Sequence, residues 1–150
     1  MAYLLDTNIV SEVRKRNPAS SVTSWIAGTH ASELHVSVLT LGEIEQGIVR
    51  LRSRGDLRQA MSVEGWLRRV EAAFAGRALP VTRSVCAHWG RRPGDYPMPV
   101  IDSLIAATAR AYGLTVVTRN AKDFQRAGVP VLNPFTSGGT TEGTVCAAEK

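Results

Sequence analysis

Short apolar runs alternate with longer helical patterns along this chain, and that alternation constrains the fold more than any other feature. "AYLLD" (2–6), "LHVSV" (34–38), "ALPVT" (78–82), "LTVVT" (114–118) and "VPVLNP" (129–134) have the length and composition of buried strands. Between them lie patterns of helical period: "TNIVSEVRK" (7–15), "NPASSVTSWIAGT" (17–29), "TLGEIEQGIVRLR" (40–52), "DLRQAMSVEGWLRRVEAAFAG" (56–76), "RSVCAHWGRR" (83–92), "VIDSLIAATARAYG" (100–113) and "NAKDFQRAG" (120–128). Strands separated by helices predict an α/β fold with a mainly parallel sheet. Asn17 and Pro18 read as the cap and first position of the second helix, and Gly113 as the C-terminal cap of the sixth. Leu41, Ile44, Ile48 and Leu51 fall on one helical face, as do Leu57, Met61, Trp66, Leu67, Val70 and Phe74 on another.

The chain has 150 residues, enough for one domain with a real core, and 44% are hydrophobic. Its formal charge is +5, carried mostly by arginine, which favours an anionic partner such as nucleic acid. Cys86 and Cys146 form neither a disulfide framework nor a zinc motif, which fits a reducing cytoplasm. The start "MAYLLDTNIVSEV" lacks the plan of a secretory signal, and no apolar run is long enough to predict a membrane span. Residues 1–135 read as the domain and 136–150 as a disordered tail, of which "SGGTTEGTVCAAEK" is rich in Gly and Thr.

Four acids follow strand-like runs and open helix-like ones, and each has two readings. Asp6 is a helix N-cap or a ligand. Thr40-x-x-Glu43 fits a capping box, so Glu43 is a structural N3 residue or a site residue. Asp102 complements a helix dipole or serves a site; the apolar run around it makes an unpaired charge there costly. Asp123 is the N3 residue of a helix capped by Asn120, or a fourth site acid. A parallel sheet brings the carboxyl ends of its strands to one edge, where ligands bind in open α/β folds. Carboxylates gathered there repel one another and call for a hard cation, Mg²⁺ or Mn²⁺. Such a centre suits hydrolysis of a phosphodiester.

Other chemistries lack their residues. His30, His35 and His88 form no zinc motif, and no Walker A, GxGxxG or GxSxG pattern occurs. A phosphoryl-accepting receiver domain would need a mid-chain strand ending in Asp and a Lys on a late strand, whereas "LHVSV" and "LTVVT" supply neither. Trp25, Trp66 and Trp89 fall at packing positions, and Asp95 of "PGDYP" reads as a loop acid. Arg50, Arg52, Arg54 and Arg58 are either a solvated helix end or a phosphate track; Arg91, Arg92 and Arg119 stay equally open.

"LLDTNIVSE", "LTLGEIEQGI", "VIDSLIAATARAYGLTVVTRNAKDF" and "VPVLNP", in this order over residues 3–135, resemble the PIN domains, and more narrowly the VapC-type toxins with their FitB-like branch. The resemblance implies a three-layer α/β/α fold and an Mg²⁺-dependent endoribonuclease toxin, with Mn²⁺ as a possible substitute. It places the family acids on Asp6, Glu43 and Asp102. The fourth family position falls on Asn120, with Asp123 the nearest acid, so the set is completed by Asp123 or by the Asn120 amide oxygen. Thr7 and Asn8 match a polar pair that supports the first acid. In the implied mechanism Asp6 and Asp102 hold a first metal ion, directly or through waters, Glu43 orients the attacking water or helps bind a second ion, and Asp123 completes the acidic rim. The implied partners are an RNA substrate, a VapB-like antitoxin that alone contacts DNA, and a second copy in a homodimer, with no membrane. A catalytically silent PIN fold used for binding is the alternative.

Overall fold

The computed structural model of the chain describes residues 1–94 and 97–136. The elements run β1 (Tyr3–Leu5), α1 (Thr7–Glu12), α2 (Ser20–Ala27), a 3-10 turn (Ala31–Glu33), β2 (Leu34–Ser37), α3 (Val38–Ser53), α4 (Leu57–Ala73), β3 (Ala78–Leu79), α5 (Arg83–Gly90), α6 (Val100–Tyr112), β4 (Thr115–Val117), α7 (Ala121–Arg126) and β5 (Val131–Leu132). The sheet is five-stranded, in the order β3-β2-β1-β4-β5, and every pairing is parallel. The chain first builds outward from β1 through β2 to β3, then returns to β1's other side with β4 and β5. That reversal makes the carboxyl end of β1 a topological switch point, where open α/β sheets place their ligands.

Neighbouring side chains of each strand point to opposite faces, and the core divides accordingly. Leu5 and Val117 join Ile9, Val22, Ile44, Ile48, Val63 and Leu67 under α1 to α4. Leu4 and Val116 join Ile105, Ala106, Ala109 and Phe124 under α6 and α7. Helices thus cover both faces, as the α/β/α expectation required. Gly113 ends α6 in the left-handed conformation at φ 67°, as its sequence position predicts. Gly113→Ala should cost about 1 kcal/mol for that conformation, read as a lower urea midpoint with an unchanged slope.

Several boundaries differ from the sequence expectation, each for a local reason. The second helix begins at Ser20, with Ala19 rather than Asn17 at the cap. The buried Glu12 carboxylate takes the Ala19 N–H at 3.0 Å and pairs with Lys15 at 2.6 Å, which fixes the α1–α2 turn from the far side. Helix α3 begins at Val38, because the Ser37 side chain caps it by accepting from Leu39 N–H at 3.1 Å. The strand before it therefore stops at residue 37 instead of 38. Strand β3 stops at Leu79, where Pro80 has no N–H for the ladder. In α4 the buried stripe is Ala60, Val63, Leu67 and Val70; Leu57 and Met61, expected on that face, stand exposed. The tail from residue 137, including Cys146, and the loop acid Asp95 lie outside the described residues. Among those residues, no helix is long and apolar enough to cross a membrane.

Candidate active site

Asp6 follows central strand β1 directly, and its backbone N–H extends the ladder to Val117 at 2.9 Å. Its side chain is 3% exposed. Oδ1 accepts the Thr7 N–H at 2.8 Å, which is an N-cap bond to α1. Oδ2 accepts from the Thr118 hydroxyl at 2.8 Å and from the Asn8 amide at 3.1 Å. Asp6 is therefore a cap and something more, because a cap alone needs neither burial nor three donors. Burial is the largest influence on its acidity and raises the pKa; the Thr118 and Thr7 hydrogen bonds oppose it.

Thr118 is the residue the sequence reading missed. It is fully buried after β4, in the register that pairs Leu5 with Val117. Its hydroxyl donates to Asp6 and accepts the Asn120 N–H at 3.0 Å, so it ties two strand ends together. The only available signal was its place directly after an apolar strand neighbouring the one that ends in Asp6. Asn8 adds a second tie: its Nδ2 also reaches Thr118 at 3.4 Å, and its Oδ1 takes the Arg119 N–H at 3.4 Å.

Glu43 is not the N3 residue of a capping box. With Ser37 as the cap, Thr40 occupies N3, and Glu43 lies a turn further along α3. The Thr7 hydroxyl donates to Glu43 Oε1 at 2.6 Å. Thr7 has only one hydroxyl proton, so the 3.0 Å contact between Thr7 and the fully buried Thr40 must have Thr40 as donor. The chain Thr40 to Thr7 to Glu43 thus fixes the Glu43 carboxylate from the first turn of α1.

Asp102 is half-buried in the first turn of α6, behind Pro99 at the cap position. Its pKa is pushed up to about 6, first by burial and then by the negative charges of Asp6, Glu43 and Asp123. The apolar stretch around it does not isolate it, because the charges of three other acids act on it. Asp123, half-buried in the first turn of α7, belongs to that group electrostatically. Asn120 occupies the α7 cap position but makes no capping bond with its side chain, and it is exposed.

The donor set is thus four carboxylates from different segments of the chain, whose mutual repulsion a divalent cation would relieve. Among the described residues no group of three His, Cys, Asp or Glu side chains closes into a direct metal cage. Carboxylate oxygens with no thiolate or imidazole among them fit a hard cation rather than Zn²⁺.

Two clefts, each of about 430 Å³, reach Asp123 and Glu43 respectively. One lies over the start of α7 and is lined by Arg119, Asn120, Lys122, Asp123 and Asn133. The other opens between α1, α3 and α4, and begins at Thr7 and Glu43. Trp66 lines this second cleft, whereas Trp25 packs edge-on against Tyr3 at 5.0 Å and Trp89 donates to Ser103 at 2.9 Å.

Comparison with known proteins gives the family and the fold. Residues 3–130 match the PIN domain family. Toxin FitB of Neisseria gonorrhoeae is 31% identical over 88% of this chain and 97% of its own length. The VapC ribonuclease Y4jK of Sinorhizobium fredii is likewise 31% identical, over 88% of this chain and 96% of its own. Among solved structures, FitAcB from Neisseria gonorrhoeae superposes with a TM-score of 0.79 at 29% identity, covering 89% of this chain and 98% of that one.

Proposed function

The chain belongs to the PIN-domain family, and on that premise we propose that it is an Mg²⁺-dependent endoribonuclease, the toxin of a toxin–antitoxin pair. The observation that carries the reading is that Thr7 bonds Asp6 through its N–H and Glu43 through its hydroxyl, so two carboxylates share one edge; their charges and that of Asp123 act on half-buried Asp102, and a cation would relieve that repulsion. The ribonuclease and toxin names of relatives that align over nearly their whole length support the substrate class.

Asp6 and Asp102 would hold the ion, with Asp123 at the rim. Bound there, Mg²⁺ supplies charge neutralisation and polarisation of the phosphodiester. Each side chain has its own task. Asp6 is held in one rotamer by Thr118, Asn8 and the Thr7 N–H, so little ordering is left to do when ligand arrives. Glu43, steered by Thr7, orients the attacking water and accepts its proton. Thr7→Val removes the Glu43 donor and leaves the Thr40 hydroxyl buried without an acceptor. It should cost about 1–3 kcal/mol in stability, and lower kcat by on the order of a hundredfold, the lower range for a lost positioning contact, with little change in KM.

The partners follow the same reading: an RNA substrate, an antitoxin that covers the acidic edge and itself contacts DNA, a second copy of the chain, and a cytoplasmic setting. Purified protein with total RNA, in Mg²⁺ and in EDTA, tests the activity, and sequencing of the new RNA ends gives the substrate. Cleavage that survives EDTA, or no cleavage in Mg²⁺, would overturn the proposal; the second result would leave a silent PIN fold that binds without cutting. Light scattering of the purified chain tests the dimer.

A further inference from the structure

We propose that Trp89 is a positioning residue for Asp102: its indole N–H holds Ser103, and through it the first turn of α6, where the carboxylate can meet a divalent cation. This deepens the metal-dependent reading and rests on it.

The first turn of α6 has no side-chain cap. Pro99 stands at the cap position and offers no oxygen of its own side chain to the turn. The carboxylates of Asp6 and Glu43 are held directly, by donors on Thr118, Asn8 and Thr7. Asp102 rides on the turn that carries it, so its place depends on how that turn is anchored. Ser103, the next residue, supplies an anchor and is 3% exposed. Its hydroxyl donates to the Val100 carbonyl at 2.7 Å, within the turn, and accepts from the Trp89 indole of α5 at 2.9 Å. An indole N–H can only donate, so the direction of both bonds is fixed and the hydroxyl proton is committed to Val100. Adjacent residues of a helix diverge by about 100° around its axis. The grip on Ser103 therefore fixes the turn without taking up the Asp102 carboxylate.

The donor sits on a firm support. Thr82 caps α5 by accepting the Val85 N–H at 3.2 Å, and Val85 is fully buried. Trp89 lies four residues on, on the face that Val85 buries. Yet Trp89 is 37% exposed. A ring kept for packing alone would be buried, whereas here the polar atom is the end that reaches a buried partner. Trp25 gives the contrast. Its ring packs edge-on against Tyr3, at the start of β1, the end of the strand away from Asp6.

The test compares Trp89→Phe, which keeps a ring and removes the donor, with Ser103→Ala and the double variant. Binding of Mn²⁺ is measured in RNA-free buffer by the loss of the free ion's electron paramagnetic resonance signal. The temperature is one at which circular dichroism shows each protein folded. Trp89→Phe should weaken Mn²⁺ binding about tenfold, the lower end for groups that orient a metal ligand. Ser103→Ala should do the same, and the double variant should be no worse than Ser103→Ala, because both changes break one bond. In cleavage assays, raising Mg²⁺ should bring the kcat of Trp89→Phe back toward wild type, with KM for RNA level throughout. Trp25→Phe is the control and should lower Tm while leaving Mn²⁺ affinity unchanged.

Wild-type Mn²⁺ affinity in Trp89→Phe, or losses in the single variants that multiply in the double, would overturn the proposal. So would an equal loss of affinity in Trp25→Phe, since any aromatic truncation would then loosen the site. Cleavage by the wild type is scored separately. Cleavage with unmoved Mn²⁺ affinity in Trp89→Phe sinks the positioning role alone. Weakened Mn²⁺ binding in Trp89→Phe, with a wild type that cuts no RNA, sinks the ribonuclease reading alone. A wild type that takes up no Mn²⁺ sinks both.

Discussion

Asp6→Asn should reduce RNA cleavage by on the order of a thousandfold or more, the upper range for removing one preorganised electrostatic contact at a reacting centre. The substitution keeps the shape of the side chain and removes its charge. One amide oxygen can still accept from Thr118 or from the Thr7 N–H, but the amide NH₂ must now face a donor that the carboxylate satisfied. Asp6→Ala is the worse probe. It strips the α1 cap and leaves the buried Thr118 hydroxyl without its acceptor, so its lost activity would be mixed with unfolding. Circular dichroism melts alongside the cleavage assay separate the two. An Asp6→Asn protein that folds and cuts RNA at the wild-type rate would rule out the metal-site role of this residue.

Asp102→Asn should move stability and activity in opposite directions. The Asp102 pKa is about 6 in the folded chain against an ordinary 3.8, so the folded state binds this proton more tightly than the unfolded state does. Stability then falls as pH rises from about 4 through 6, the interval in which the unfolded chain has already lost the proton and the folded chain is losing it. In metal-free buffer the wild-type Tm should therefore decline across that interval. Asp102→Asn should flatten the decline and melt a few degrees higher at pH 7. It will not abolish the slope, because burial raises the Asp6 pKa in the same direction. Added Mg²⁺ should raise the wild-type Tm at pH 7 and the variant's much less, since binding to the folded state alone is stabilising. Cleavage by the variant should fall by on the order of a thousandfold. A variant that melts lower than wild type at pH 7 without metal would contradict the repulsion inferred at this site.

Sequence patterns recovered α6 and its Gly113 cap because the helix is a long run of apolar and small residues with an unambiguous stop. The start of α3 was obscured by a competing signal. Thr40-x-x-Glu43 has the form of a capping box, and nothing local reveals that Ser37 already caps the helix three residues earlier. Resolving that matters for the site: once Thr40 is inside α3, its hydroxyl and Glu43 both converge on Thr7. Asp6 was legible at a strand-to-helix junction, and Glu43, Asp102 and Asp123 as charges early in helical patterns. Their convergence depends on the strand order, which no window of sequence encodes. Thr118 was invisible for the same reason, since a threonine after a strand acquires meaning only from the strand beside it. Leu57 and Met61 were misplaced because a 17-residue helix with several apolar residues admits more than one stripe, and packing against α3 chooses between them.

The central position of β1 has a bearing on how the chain is made. The bond between Asp6 and Thr118 joins residues 112 apart in sequence. Parallel partners so distant close late, because their loop entropy must be met before the contact forms. During synthesis Asp6 and Glu43 emerge early, but the strand that completes their environment is among the last to leave the ribosome. A nascent chain therefore carries half of the proposed centre for most of its time in translation. For a proposed ribonuclease born amid ribosomes and their RNA, that topology would act as a timer, with cutting delayed until the whole domain has been released to fold.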